Sequence, residues 1–202
     1  MKVALIGASG KAGSRVLKEL LSRGHQVTAI ARNPERIEAS DGVTVRGVDG
    51  TKEDLATALA GHDAIISSAR FVDLVPEILV PAVLASGVKR HLIVGGAGSL
   101  LHPDGVEEMN HPGFPAVAQA NSARGKDLLL ALQKTEGLDW TFISPPRFFI
   151  AGERTGRYRY GKDHMLMAED EPTKLSYEDM ALEIVDSLEQ GKHLRERITI
   201  GY

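Results

Sequence analysis

The chain has 202 residues, enough to bury one full hydrophobic core in a single domain. Its formal net charge of -3 offers no basic field for nucleic acid, and no apolar run is long enough to span a membrane. The absence of cysteine excludes disulfides, thiolate nucleophiles and Cys-ligated metals; with a first strand expected almost at Met1 there is no room for a leader peptide, so a cytoplasmic protein is expected.

In chain order, short apolar runs rich in β-branched residues alternate with stretches of helical periodicity. Strands are expected over residues 3–6, 26–31, 43–47, 64–67, 91–94, 140–143 and 198–200, and helices over 12–22, 51–59, 75–86, 118–135 and 177–189. Val16, Leu17, Leu20 and Leu21 mark one face of the first helix, and Gly24 ends it. Ser176 is placed to cap the last helix, with Glu178 and Asp179 against its dipole. This alternation predicts right-handed crossovers and an α/β fold: one domain over 1–202, doubly wound, with a mostly parallel sheet and helices on both faces. Residues 95–115 and 144–165 break the rhythm with long Gly- and Pro-rich loops. Both follow strand ends, where open α/β sheets bind ligands.

Between the first strand and first helix, Gly7, Gly10 and Gly13 are spaced G-x-x-G-x-x-G, with Ser9, Lys11 and Ala12 among them. Such a turn lets backbone approach a pyrophosphate, packs helix on strand, and aims free helix N–H groups at an anion. The alternative is a turn kept glycine-rich for packing alone. Lys11 is out of register for a P-loop. After the second strand, where a free ribose 2'-OH would meet an Asp or Glu, stand Arg32, Asn33 and Arg36. Arginine there suits a 2'-phosphate, so NADP(H) is expected over NAD(H), unless these are solvated surface charges. Asp49 can accept from the adenine amino group or, like Thr51, cap the following helix. Ser67, Ser68 and Ala69, and later Gly95, Gly96 and Ala97, are small residues at strand tips that leave room for the cofactor.

The stretches "KVALIGASGKAGSRV", "VTAIARNPERI", "DAIISS", "LIVGGAGSL", "LDWTFISPPRFFIAGERTGRY" and "SYEDMALEIVDSLE" resemble the atypical short-chain dehydrogenase/reductase superfamily across nearly the whole chain. The resemblance is to its small NAD(P)H-binding branch of NADH-flavin reductase-like, NmrA-like and epimerase/dehydratase-like proteins. It implies a Rossmann-type domain with Ser144 and Pro145 near the nicotinamide and the following residues walling the substrate side. One departure matters. Tyr-dependent members carry Tyr-x-x-x-Lys on the helix between the fifth and sixth strands, where this chain reads "AVAQANSARGKDLLLAL" and offers only Ser122 and Lys126. The string "YRYGK", Tyr158 to Lys162, lies in a later loop and is read as a decoy.

Without that tyrosine, hydride transfer to a flavin- or quinone-like acceptor is the expected chemistry, since the acceptor is already electron-poor. Phe71, Phe114, Phe148 and Phe149, with Arg147, are candidates to line a pocket for a planar anionic acceptor, or the phenylalanines are ordinary core. His102, Asp104, Glu107, Glu108 and His111 match no compact metal template and read as a solvated polar loop, with His111 a candidate for the substrate mouth. Two other functions stay open: an NmrA-like protein that senses NADP(H) without turnover, and a Tyr-independent epimerase, dehydratase or reductase of a small metabolite. Monomer and homodimer are not distinguished.

Overall fold

The computed structural model describes residues 1–38, 40–48, 50–169 and 171–202. In chain order the elements are β1 (Lys2–Ile6), α1 (Lys11–Ser22), β2 (Gln26–Ala31), β3 (Val43–Gly47), α2 (Lys52–Leu59), β4 (Ala64–Ser67), α3 (Pro76–Ser86), β5 (Arg90–Val94), α4 (Ala116–Gln133), β6 (Asp139–Ser144), β7 (Phe148–Ile150), β8 (Arg159–Gly161), β9 (Met167–Ala168), β10 (Glu171–Pro172), β11 (Lys174–Ser176), α5 (Tyr177–Glu189) and β12 (Glu196–Gly201). Eight strands form the central sheet in the order β3-β2-β1-β4-β5-β6-β12-β8. All neighbours are parallel except β12 and β8. The order reverses between β1 and β4, and that switch point opens the crevice where such sheets take ligands.

The strands show little polar alternation because both sheet faces are covered. From β1, Val3 and Leu5 enter a core with Val16 and Leu20 of α1 and Ile184 and Leu188 of α5. Ala4 and Ile6 point the other way, into a core with Leu55 and Leu59 of α2, Leu79 and Val83 of α3, and Leu128 and Leu132 of α4. Each fully buried Leu or Ile stabilises the fold by about 1.5–3 kcal/mol relative to exposure, so this packing outweighs helix propensity. It matters most for α1. Its first residue follows Gly10, which supplies no side-chain cap, so Val16 and Leu20 hold a helix whose N-terminus stays open.

Local signals place most boundaries. Gly24, at φ +78°, closes α1: its N–H donates to Leu21 and that of His25 to Leu20, the paired bonds of a left-handed helix stop. Ser176 caps α5 by accepting from the Asp179 N–H at 2.9 Å, and Thr51 caps α2 by accepting from the Asp54 N–H at 3.3 Å. The differences lie in the loop expected over 144–165. It contains β7, paired with β11, and β8, paired with β12. Strands of three residues carry no readable period, and their partners lie far along the chain. Helix α4 begins at Ala116 and ends at Gln133, two residues early at each end relative to the apolar pattern. No described helix is long and apolar enough to cross a membrane.

Candidate functional site

Three glycines shape the turn after β1, each for a steric reason. Gly7 sits at φ +81°, and a Cβ there would lie 2.6 Å from the Ser68 carbonyl oxygen at the end of β4. A Cβ on Gly13 would lie 2.0 Å from the Gly7 carbonyl oxygen, so α1 can approach the turn only as glycine. Gly10 donates its N–H to Gly7 at 3.0 Å and leaves the first helical N–H groups facing outward. The turn thus brings an uncapped helix N-terminus to the switch point.

In front of it lies a cleft of about 380 Å³. Gly7, Ser9, Gly10 and Lys11 line its floor, Ser68 and Ala69 one side, and Arg32, Asn33 and Arg36 the far end. Ile6, Ile30, Val48, Leu55 and Leu74 add an apolar wall suited to a flat base. Sequence reasoning missed Arg70 and Asp73, which complete the lining from the turn after β4. Asp73 Oδ2 stands 3.2 Å from Arg32 Nη2 and 3.9 Å from Arg70 Nε. The signal was available as R-x-x-D directly after a strand that ends at the switch point. Ala12 and Gly13 are buried in the helix–turn contact instead of lining the cleft. Asp49 lies outside the described residues.

Several other expected positions turn inward. Ser67 is 4 % exposed, and its hydroxyl bonds His91 Nε2 at 2.8 Å inside the sheet. Burial, reinforced by neighbouring Arg90, pushes His91 down to about 3, so it is neutral at physiological pH. Ser144 is fully buried: Arg197 Nε donates to its hydroxyl at 3.1 Å, and Thr199 Oγ1 to its carbonyl at 2.9 Å. Its hydroxyl is therefore engaged within the sheet, and Pro145 beside it is also buried. Gly95 continues the β5–β6 ladder by donating to Ile143 at 2.8 Å, and a Cβ there would lie 2.4 Å from the Phe142 ring. Gly96 faces Phe71, and Gly95, Gly96 and Ala97 all lie outside the residues that line the cleft.

The expected acceptor side is more closed than its composition suggested. Phe71 is core: it is 6 % exposed, stacks on Phe142 at 6.1 Å and fills the space over Gly125. The loop read as solvated is partly buried. Glu108 is fully buried between Arg147 Nε and His102 Nε2, the latter at 2.5 Å. His111 stacks on His102 with ring centres 3.8 Å apart and reaches Asp104 Oδ2 at 3.2 Å. Phe114 is half-buried in the same loop, and Phe148 is 46 % exposed on β7. Among the described residues no three His, Asp or Glu side chains converge in a way that would hold a metal ion.

On α4, Ser122 lies tight against Gly98, whose added Cβ would stand 2.4 Å from that of Ser122, and Lys126 Nζ bonds Glu107 Oε1 at 2.5 Å. Neither is paired with the other. The later Tyr–Lys string is committed elsewhere. Tyr158 donates to the buried carboxylate of Glu183 at 2.9 Å, while Lys162 pairs with Glu196 at 3.2 Å. Burial and Glu183 raise the Tyr158 phenol far above its usual range, the opposite of what a proton-transfer tyrosine requires.

Comparisons with known proteins agree with this architecture. Residues 7–191 match the family described as NAD(P)H-binding. The chain is 37 % identical over 210 residues to the YwnB protein of Bacillus subtilis (strain 168), itself uncharacterized, covering 99 % of this chain and 98 % of that one. A proposed epimerase from Bacteroides thetaiotaomicron superposes with a TM-score of 0.91 at 38 % identity, covering 100 % and 96 % of the two chains. A proposed NADH-flavin reductase from Streptococcus pneumoniae TIGR4 gives 0.79 at 34 % identity, covering 100 % and 99 %. With a glycine turn at a β1–β4 switch point and a family match over most of its length, the chain belongs to the NAD(P)H-binding family and has a doubly wound, Rossmann-like fold.

Proposed function

We propose that this protein is an NADPH-dependent reductase that passes hydride to a soluble flavin- or quinone-like acceptor. The observation that carries the reading is on α4: the place of a proton-transfer tyrosine holds Ser122 against Gly98, with Lys126 tied to Glu107. Carbonyl reduction, epimerisation and dehydration need a positioned acid or base; reduction of an electron-poor ring system does not, because water can supply the proton.

The cofactor, when bound, supplies the hydride from its nicotinamide ring. The chain's own contribution is placement. The glycine turn and open end of α1 hold the pyrophosphate, since Gly7 and Gly13 let β4, turn and helix close together so that the uncapped N-terminus of α1 meets the cleft. The apolar wall of Ile30, Val48, Leu55 and Leu74 takes the adenine, and Arg32 and Arg36 take the 2'-phosphate. Phe148, exposed on β7, with His111 and Phe114 of the 95–115 loop, is left to meet the acceptor, while Arg147 is taken up by the Glu108 carboxylate. The protein partners with small molecules in the cytoplasm, where NADPH is available; nucleic acid and membrane have no place in this reading.

Two measurements test it. Purified protein is mixed with NADPH and, separately, FMN, FAD, riboflavin and a short-chain quinone, and loss of reduced-nicotinamide absorbance is followed. Consumption with at least one acceptor is expected. Tight NADPH binding with no consumption in any mixture overturns turnover and leaves a protein that senses the cofactor. Second, Arg32→Ala is expected to weaken NADPH binding by about tenfold or more while NADH changes little, because charge-assisted bonds to phosphate are lost only in the first case. Equal losses overturn the NADP(H) preference.

A further inference from the structure

At the far end of the cleft the cations are not all waiting for a ligand. Arg32 Nη2 lies 3.2 Å from Asp73 Oδ2, and Arg70 Nε lies 3.9 Å from the same oxygen. All three side chains line the cleft together with Arg36. We propose that Asp73 is an internal competitor of the cofactor's 2'-phosphate. Its carboxylate occupies Arg32 and Arg70 until a phosphate displaces it, and so it lowers the protein's discrimination between phosphorylated and unphosphorylated dinucleotides. This rests on the reading that a 2'-phosphate seats against Arg32.

The backbone that presents Asp73 is fixed. The Asp73 and Leu74 N–H groups both donate to the Arg70 carbonyl, at 3.0 and 3.1 Å. The Val72 N–H reaches Asn121 Oδ1 on α4 at 3.4 Å, and Phe71 is sunk in the core. The carboxylate can rotate off Arg32, but its turn cannot carry it away. A dianionic 2'-phosphate therefore wins Arg32 by its larger charge, yet keeps a like charge close by. A 2'-hydroxyl meets no such penalty, because it can donate to the carboxylate while Arg32 stays paired. The side chains of Arg32 and Asp73 are 59 % and 31 % exposed, so solvent screens the pair and the effect is modest.

The test uses the intact chain and calorimetric titration with 2',5'-ADP and with 5'-AMP, which differ only in the 2'-phosphate. The quantity read is the ratio of the two Kd values in wild type and in Asp73→Asn, with Asp73→Ser as a second variant of the same expected sign. Removing the carboxylate is expected to raise the preference for 2',5'-ADP about threefold to fivefold, an exposed ion pair's range. The gain is expected to shrink in high salt and to vanish when Arg32→Ala is combined with Asp73→Asn. A preference that stays the same or falls in both Asp73 variants overturns the inference. If wild type prefers 2',5'-ADP and the variants do not increase that preference, only the competitor role fails. If wild type binds both nucleotides alike but Asp73→Asn creates a preference, the competitor role stands and the NADP(H) preference of the native protein fails. If neither protein distinguishes them, both fail.

Discussion

Arg32 and Arg36, after β2, stand at the open rim of a cleft, whereas Arg147, after β6, and Arg197, at the start of β12, are tied to buried partners. Arg147 leans on the buried carboxylate of Glu108, and Arg197 on Ser144 and the Ser99 carbonyl. Similar side chains thus do opposite work on two sides of one sheet. At the nucleotide side, Arg32 and Arg36 are exposed and Gly7 and Gly13 let strand, turn and helix close together. At the proposed acceptor side, Arg147 and Arg197 tie loop residues to the strand ends.

Breaking the first region's glycine contact is expected to have the largest effect. Gly13→Ala places a methyl 2.0 Å from a backbone oxygen that cannot give way as a side-chain tip can. A loss of about 3 kcal/mol in urea unfolding, or failure to fold, is expected, with NADPH binding abolished in any folded fraction. Glu108→Gln probes the second region. It leaves Arg147 and His102 without their shared carboxylate, at an expected cost of about 3 kcal/mol. NADPH binding should survive in the folded protein, and adding Arg147→Met should recover part of the stability. Loss of cofactor affinity in Glu108→Gln would dissolve the division between the regions.

Acid tests a residue beneath both. His91 titrates near 3 when folded and at about 6.5 when unfolded, so below pH 6.5 the unfolded chain gains a proton that the folded one refuses. Stability should therefore be full above about pH 6.5 and decline continuously toward about pH 3. His91→Leu should flatten that limb. A carboxylate adds to the slope lower down: the Glu19 carboxyl is held below its usual range chiefly by Arg154 and also by Arg23, so its contribution is present above the ordinary carboxylate pKa and is lost on acidification. The smallest expected change is Phe148→Ala. Its exposed ring should cost at most about 0.5 kcal/mol in stability. It should still raise the KM for a flavin acceptor severalfold with NADPH affinity unaltered; an unchanged KM removes β7 from the acceptor site.

The nucleotide side was legible because its determinants are neighbours in sequence. Gly7, Gly10 and Gly13 act within one turn, and the alternation of apolar runs placed every strand from β1 to β6 within a residue or two. The acceptor side was not, because its partners are distant: Arg147 meets Glu108 across 39 residues and Arg197 meets Ser144 across 53. Nothing local distinguishes a histidine-and-acid loop in water from one whose Glu108 is sealed under an arginine. Ser144 illustrates the same limit, since its place at a strand tip is readable but the guanidinium that turns it inward comes from β12. Asp73 is the intermediate case: it lies beside a recognised strand end, yet its meaning depends on Arg32, forty-one residues earlier.

The insertion of β12 between β6 and β8 has a consequence for how the chain comes to be. During synthesis β8 emerges well before β12, and until then β6 and β8 each present an unpaired edge with a strand-wide gap between them. On the nucleotide side the strand pairing β3-β2-β1-β4-β5 is complete by β5, although its two faces still await α4 and α5. The other side must wait, with its hydrogen-bonding edges open to strangers, for the last strand to arrive.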